Sequence, residues 1–341
     1  DLVFEGFGDS GVFFEDCDHI LVGGCTFRSG IDLGLTLVDG MHNTIVGCDF
    51  YDLNRAFLLL GRYPREREYV SPYKNDPNYE YGKAGFSENR RDLVPEHNVA
   101  HNNHIHHCRL RGYGLMAVGG VGARFTHNLV HHLNGGLMFG HNDFLGEFNE
   151  FYEVGYEMGD WNAAYCGADL SLYNNLWRFN FAHHILETPK GHPMSAWRAD
   201  DNASGLLTFG NIYYKCGRSA VQGSGPYNSI ENSVAMHTPK LWWTVQKPYH
   251  DIPHQQFLEE KRAERIKTNE EIAAGIRSLY DKQNIIGKAE MVFGREGWSN
   301  NTVWVEHYPL LPKIFRDGFM NRDSNPWSQS YTVVQRNYSD H

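Results

Sequence analysis

Runs of three to five residues, with apolar side chains at alternate positions and a Gly, Asn, Asp or His closing each run, recur along this chain. From Ala123 to Asn149 they read Arg124-Phe-Thr-His, Asn128-Leu-Val-His-His, Gly135-Gly-Leu-Met-Phe-Gly and Asp143-Phe-Leu-Gly-Glu-Phe. Alternation over so few residues predicts short strands rather than helices. Three such strands joined into a loop of about 21 residues are too short for separate hairpins, but they can coil so that each rung pairs in parallel with the next. The pattern predicts an all-β fold, a right-handed parallel β-helix.

A phrase within the pattern repeats: Asn103-His-Ile-His-His, Asn128-Leu-Val-His-His, Asn149-Glu-Phe-Tyr, Asn180-Phe-Ala-His-His, Asn211-Ile-Tyr-Tyr and Asn232-Ser-Val. Cys25-Thr-Phe and Cys48-Asp-Phe are earlier, degenerate copies. Such periodicity is the signature of a solenoid. The asparagines are expected to stack at one corner, each amide bonding its own turn and the asparagine about 4.8 Å away on the next rung. The interval is 21 residues from Asn128 to Asn149, 31 to Asn180, 31 to Asn211 and 21 to Asn232, so two adjacent rungs carry extra loop.

The β-helix is expected over residues 1–237, interrupted by an insertion at 62–97 rich in Arg, Glu, Pro and Tyr. Residues 238–341 read as a C-terminal extension packing on the solenoid. It is helical from about Gln255 to Lys282, where Phe257, Ile272, Ile276, Leu279 and Tyr280 give one apolar face. Asp1-Leu-Val-Phe already reads as a strand, so the chain is expected to begin inside the coil.

Composition narrows the partners. A formal charge of -10 over 341 residues argues against nucleic acid or an anionic membrane, which need a concentrated basic surface. No apolar stretch approaches the roughly 20 residues that span a bilayer. The six cysteines lack zinc-like spacing. At equivalent rung positions, they are expected to be buried thiols. Adjacent strand residues face opposite sides, so the His-His pairs at 106, 131 and 183 are expected to split, one ring inside and one out, leaving no histidine metal site.

Carboxylates gather on consecutive rungs at Asp143, Asp160, Asp169, Asp200 and Asp201, with Trp161, Tyr165 and Trp197 beside them and His141 and Arg198 nearby. For any one of these aspartates, a turn-forming role competes with chemistry. Together they suit a sugar site, since glycoside cleavage needs one carboxyl as acid and a second as base or nucleophile, and aromatic faces carry pyranose rings. The fitting cation, where one is needed, is calcium held by Asp143, Asp169 and Asp201.

Several motifs occur in order: Gly135-Gly-Leu-Met-Phe-Gly-His-Asn-Asp143, Asn149-Glu-Phe-Tyr-Glu-Val, Glu157-Met-Gly-Asp160 with Ala164-Tyr165, and Asp200-Asp201-Asn-Ala-Ser-Gly205 before Gly210-Asn211. The series, spanning about Asn103 to Asn232, resembles the right-handed β-helix proteins of glycoside hydrolase family 141. That family acts on plant cell-wall polysaccharides, with α-L-fucosidase and xylanase activities among its members. The resemblance implies two catalytic aspartates, placed at Asp160 and Asp201. His141, Asp143, Trp161, Tyr165, Trp197, Arg198 and Asp200 then bind substrate. The chain departs from the family at Trp161-Asn162, where a small pair is usual, and a bulky indole there reshapes the sugar subsite.

The leading expectation is a secreted, extracellular or periplasmic glycoside hydrolase that needs no cofactor. The alternative is a calcium-assisted lyase or epimerase on uronic-acid polymers, with Arg198, Lys190 or Tyr165 in proton transfer or charge neutralisation. The third is a non-catalytic glycan-binding β-helix in which the aspartates only form turns.

Overall fold

The computed structural model describes residues 2–62, 93–108, 116–140, 142–155, 162–167, 172–186, 194–200, 203–223, 225, 227–243, 302–309 and 333–340. Their strands form three parallel sheets, each rung giving one strand to each sheet in turn. Sheet I has ten strands, from Val3–Glu5 to Tyr338–Ser339. Sheet II has nine, from Val12–Glu15 to Trp242–Trp243, and sheet III has nine, from Leu21–Gly23 to Val333–Gln335. This is a right-handed parallel β-helix, the hand that parallel crossovers almost always take.

The asparagine corner joins sheet III to sheet I. The amides of Asn103, Asn128, Asn149 and Asn180 each donate to the side-chain oxygen of the next asparagine, at 2.9–3.1 Å, and so do their backbone N–H groups. Each Nδ2 also reaches a carbonyl of an earlier rung, as from Asn128 to Ala100 and from Asn149 to Phe125. The bond to the neighbouring asparagine is the one the sequence predicts, whereas the second goes to an earlier rung rather than to the residue's own turn, except that Asn180 Nδ2 also reaches Arg178 O at 3.0 Å. The residue before each asparagine bends the corner with a left-handed backbone, as at His127 (φ 57°) and Phe148 (φ 55°).

One register differs from the sequence reading. Asn211 donates its N–H to Ser233 Oγ at 3.2 Å, and Ser233 donates its own to Asn337 Oδ1 at 2.9 Å. Ser233 therefore holds the ladder position, and Asn232 (φ 50°) is the bent residue before it. A second polar corner lies at the start of sheet III, where Asn43, Asn98, Asn175 and Asn228 accept backbone N–H groups from neighbouring rungs.

Nor does the coil stop at residue 237. Trp242–Trp243 pairs with Ser219–Gly223 in sheet II, and Val333–Gln335 and Tyr338–Ser339 supply the next strands of sheets III and I. The helix expected near 255–282 lies outside the described residues. A short helix, Thr302–His307, buries Trp304.

Inside the coil, Phe4, Phe27 and Phe50 stack at 4.8–4.9 Å. Farther along, Trp177 and Trp197 stack at 4.7 Å against Phe139, Phe151 and Tyr213. All six cysteines are free thiols, four of them buried.

The histidine pairs do not split as strand alternation predicts. His107, His132 and His184 take left-handed backbones (φ 49°, 53° and 49°), so the chain turns and swings each second ring back toward the first. The Nδ1 atoms of His106 and His107 lie 2.8 Å apart, those of His131 and His132 2.7 Å, and those of His183 and His184 2.9 Å. The result is a histidine-rich outer face on sheet I. Burial and the neighbouring imidazoles push His131 down to about 4.

Candidate functional site

The outer row of sheet II runs in register from Thr36 through Leu58, Ala117 and Met138 to Tyr165, Arg198, Gln222 and Trp243. Thr36, Leu58 and Ala117 are buried and Met138 is half-buried. At Tyr165 and Arg198 the row becomes polar and half-buried. Strand alternation produces this arrangement, because the intervening Ala164, Cys166, Trp197, Ala199 and Val221 point into the core.

Three side chains from two paired strands meet here. Arg198 Nη2 lies 2.6 Å from Asp200 Oδ2, with both side chains 12% exposed. The Tyr165 hydroxyl donates a long hydrogen bond, 3.4 Å, to the same oxygen. The Arg198 guanidinium also sits 5.7 Å from the centre of the Tyr165 ring. Gly167, opposite Asp200, makes room for this reach, since a Cβ there would stand 2.4 Å from the Tyr165 hydroxyl oxygen.

Arg218 lies one rung on, its guanidinium 4.2 Å from the centre of the Trp243 ring. Partial burial, and then the positive charge of Arg198, lower the Arg218 pKa from its ordinary value. One guanidinium, one tyrosine and one carboxylate thus form a small polar cluster that can hold sugar hydroxyls, with a second guanidinium, Arg218, on the next rung. Arg218, Gln222 and Trp243 were missed by sequence reasoning. The signal was available, because Arg198, Gln222 and Trp243 recur at 24 and 21 residues, close to one rung each.

Other expected site residues sit elsewhere. Trp197 is 0% exposed and stacked on Trp177, so its indole fills the core and offers no face to a sugar. Asp143 turns the corner before Leu145–Glu147 with φ 57°. Its Oδ1 accepts from Asn174 at 2.7 Å, and its Oδ2 meets the Tyr308 hydroxyl at 2.8 Å and His307 Nε2 at 3.0 Å. These contacts tie the Thr302–His307 helix to the coil. Asn162, in the dipeptide that departs from the family pattern, is buried and accepts the Ser195 N–H at 2.6 Å, so it staples two rungs. His141, Asp160, Trp161, Asp169, Lys190 and Asp201 lie outside the described residues.

No family model matches the chain, and neither a curated protein nor a solved structure matches it. Among the described residues no helix is long and apolar enough to cross a membrane.

Proposed function

We propose that the protein is a carbohydrate-active enzyme, a glycoside hydrolase of the family 141 type, working on the outer face of sheet II. The observation that carries this reading is the meeting of Tyr165, Arg198 and Asp200, a polar trio where a mostly apolar row of side chains gives way to polar ones. Convergent polar groups of this kind, set in an apolar surround, orient sugar hydroxyls. In the chain, Asp201 directly follows Asp200, and Asp160 precedes the Ala164–Gly167 strand by four residues. Asp160 and Asp201 are the proposed acid and base or nucleophile, and Arg198, Asp200 and Tyr165 position the substrate.

The test is release of reducing sugars from plant and algal polysaccharides without any absorbance near 235 nm. Asp160→Asn and Asp201→Asn are each expected to lower kcat at least about a hundredfold. Full activity in both variants would sink the assignment.

The positive charge of Arg218, one rung from Arg198, supports a second reading, in which the substrate carries a carboxylate or sulfate. A lyase or epimerase on a uronic-acid polymer would use Tyr165 in proton transfer and the arginines against the sugar carboxylate. Growth of absorbance near 235 nm, lost in Tyr165→Phe, would select a lyase over hydrolysis.

A further inference from the structure

The outer face of sheet I carries a second convergence of polar groups, on a sheet that does not include the Tyr165 trio. His104 and His106 stand on one strand and His131 on the next, and one ring nitrogen from each lies within 4.8 Å of the other two. Nε2 of His104 is 2.8 Å from Nε2 of His131. At most one proton fits between two such nitrogens, so lone-pair density is turned into the gap. One rung earlier, Asp49 Oδ1 lies 3.3 Å from Nδ1 of His104 and 3.1 Å from Nε2 of His106.

We propose that His104, His106 and His131 form a three-histidine site for a divalent transition-metal ion of the zinc class, with the Asp49 carboxylate orienting His104. Imidazole nitrogen suits zinc, copper or nickel, whereas calcium and magnesium prefer oxygen. Metal–nitrogen distances of about 2.0–2.1 Å in a tetrahedral set put the ligand nitrogens about 3.3 Å apart. The observed gaps straddle that value, so small ring rotations on a fixed sheet complete the set. Three histidines leave a fourth position for water or a substrate atom.

The surroundings are those of a supported site. His104 turns one nitrogen toward His131 and the other toward Asp49, as in a carboxylate–histidine–metal relay. The outer nitrogens of His106 and His131 are engaged by His107 and His132, and His132 Nε2 is 2.5 Å from Glu153. Simple ring stacking does not account for this. Tyr51, His106, His131, Tyr152 and His183 do stack along the face at 4.6–5.2 Å, but stacking does not require His104 to aim Nε2 at His131. A bound ion would join two neighbouring rungs, since His104 and His106 stand on one strand and His131 on the next.

The test uses the full chain without a polyhistidine tag, stripped with a chelator and titrated calorimetrically with Zn²⁺ at pH 7.5. The expected result is one equivalent bound with Kd at or below about 10 µM, and visible absorption bands of a tetrahedral complex with Co²⁺. His104→Gln and His131→Gln are each expected to weaken Zn²⁺ binding at least about tenfold, while His183→Gln, on the same face, leaves it unchanged. Weaker binding by the wild type overturns the proposal. So does an equal loss in His183→Gln, which would mean diffuse adsorption to a histidine surface. Circular dichroism of each metal-free variant reports folding, and should His131→Gln fail to fold, the more exposed His104→Gln decides alone.

Discussion

Arg198 and Asp200, two residues apart on one strand, close an ion pair at 2.6 Å in which each side chain is 12% exposed. Removing one partner leaves the other charge poorly solvated, whereas removing both does not. Arg198→Met is expected to lower unfolding stability by about 3 kcal/mol. The Arg198→Met/Asp200→Leu double variant should recover most of that loss. Urea unfolding checks this, and a double variant no more stable than the single would show that the charge is not the cause.

Gly167 offers a gentler way to disturb the same region. A methyl group at this position would meet the Tyr165 hydroxyl, at 2.4 Å from its Cβ, before any backbone atom. Gly167→Ala should therefore turn Tyr165 away from Asp200 while the fold survives. On a polysaccharide that the wild type cleaves, kcat/KM is expected to fall at least about tenfold, matching Tyr165→Phe, with the circular dichroism spectrum unchanged. Retention of wild-type kinetics by both variants would remove Tyr165 from the site.

At the asparagine corner, Asn149 is buried and makes four side-chain hydrogen bonds, accepting from the N–H and amide of Asn128 and donating to Phe125 and Asn180. Asn149→Ala strands those partners and should cost about 3 kcal/mol. Asn149→Ser should cost less, because Ser233 holds an equivalent position with its hydroxyl accepting a backbone N–H. Equal losses in the two variants would contradict this ranking.

Cys216 is fully buried, and desolvation pushes its thiol up to about 12. Both properties suppress the thiolate that reacts with alkylating agents. Iodoacetamide at pH 8 should label the partly exposed Cys17 first, and Cys216 only at the rate of unfolding. Mass spectrometry of digests reads the order, and early labelling of Cys216 would contradict its burial.

The β-helix was legible because strand length, the asparagine phrase and its spacing all pointed to one coil. The failures have local causes. Residue type alone puts Asn232 on the ladder, but register decides, and Ser233 replaces the amide with a hydroxyl. Alternation divides the histidine pairs between inside and outside only while the backbone stays extended, and the left-handed residues at 107, 132 and 184 break it. Trp197 looked like a sugar platform because composition cannot tell an aromatic pointing into the coil from one pointing out of it. Tyr165 and Arg198, which lie in the two lengthened intervals, stand opposite each other on paired strands.

The last described rung of the coil is built by chain that returns from far away, Asn337 meeting Ser233 across 104 residues. An ordinary rung closes a loop of 21 to 31 residues. Loop-closure entropy grows only with the logarithm of length, so the longer return costs about 1.4 kcal/mol more than a 21-residue one. The scaffold can therefore accept a domain-sized detour between two rungs at the expense of a single hydrogen bond or so. Its capacity to acquire new loops is limited less by stability than by the time the chain needs to find its way back.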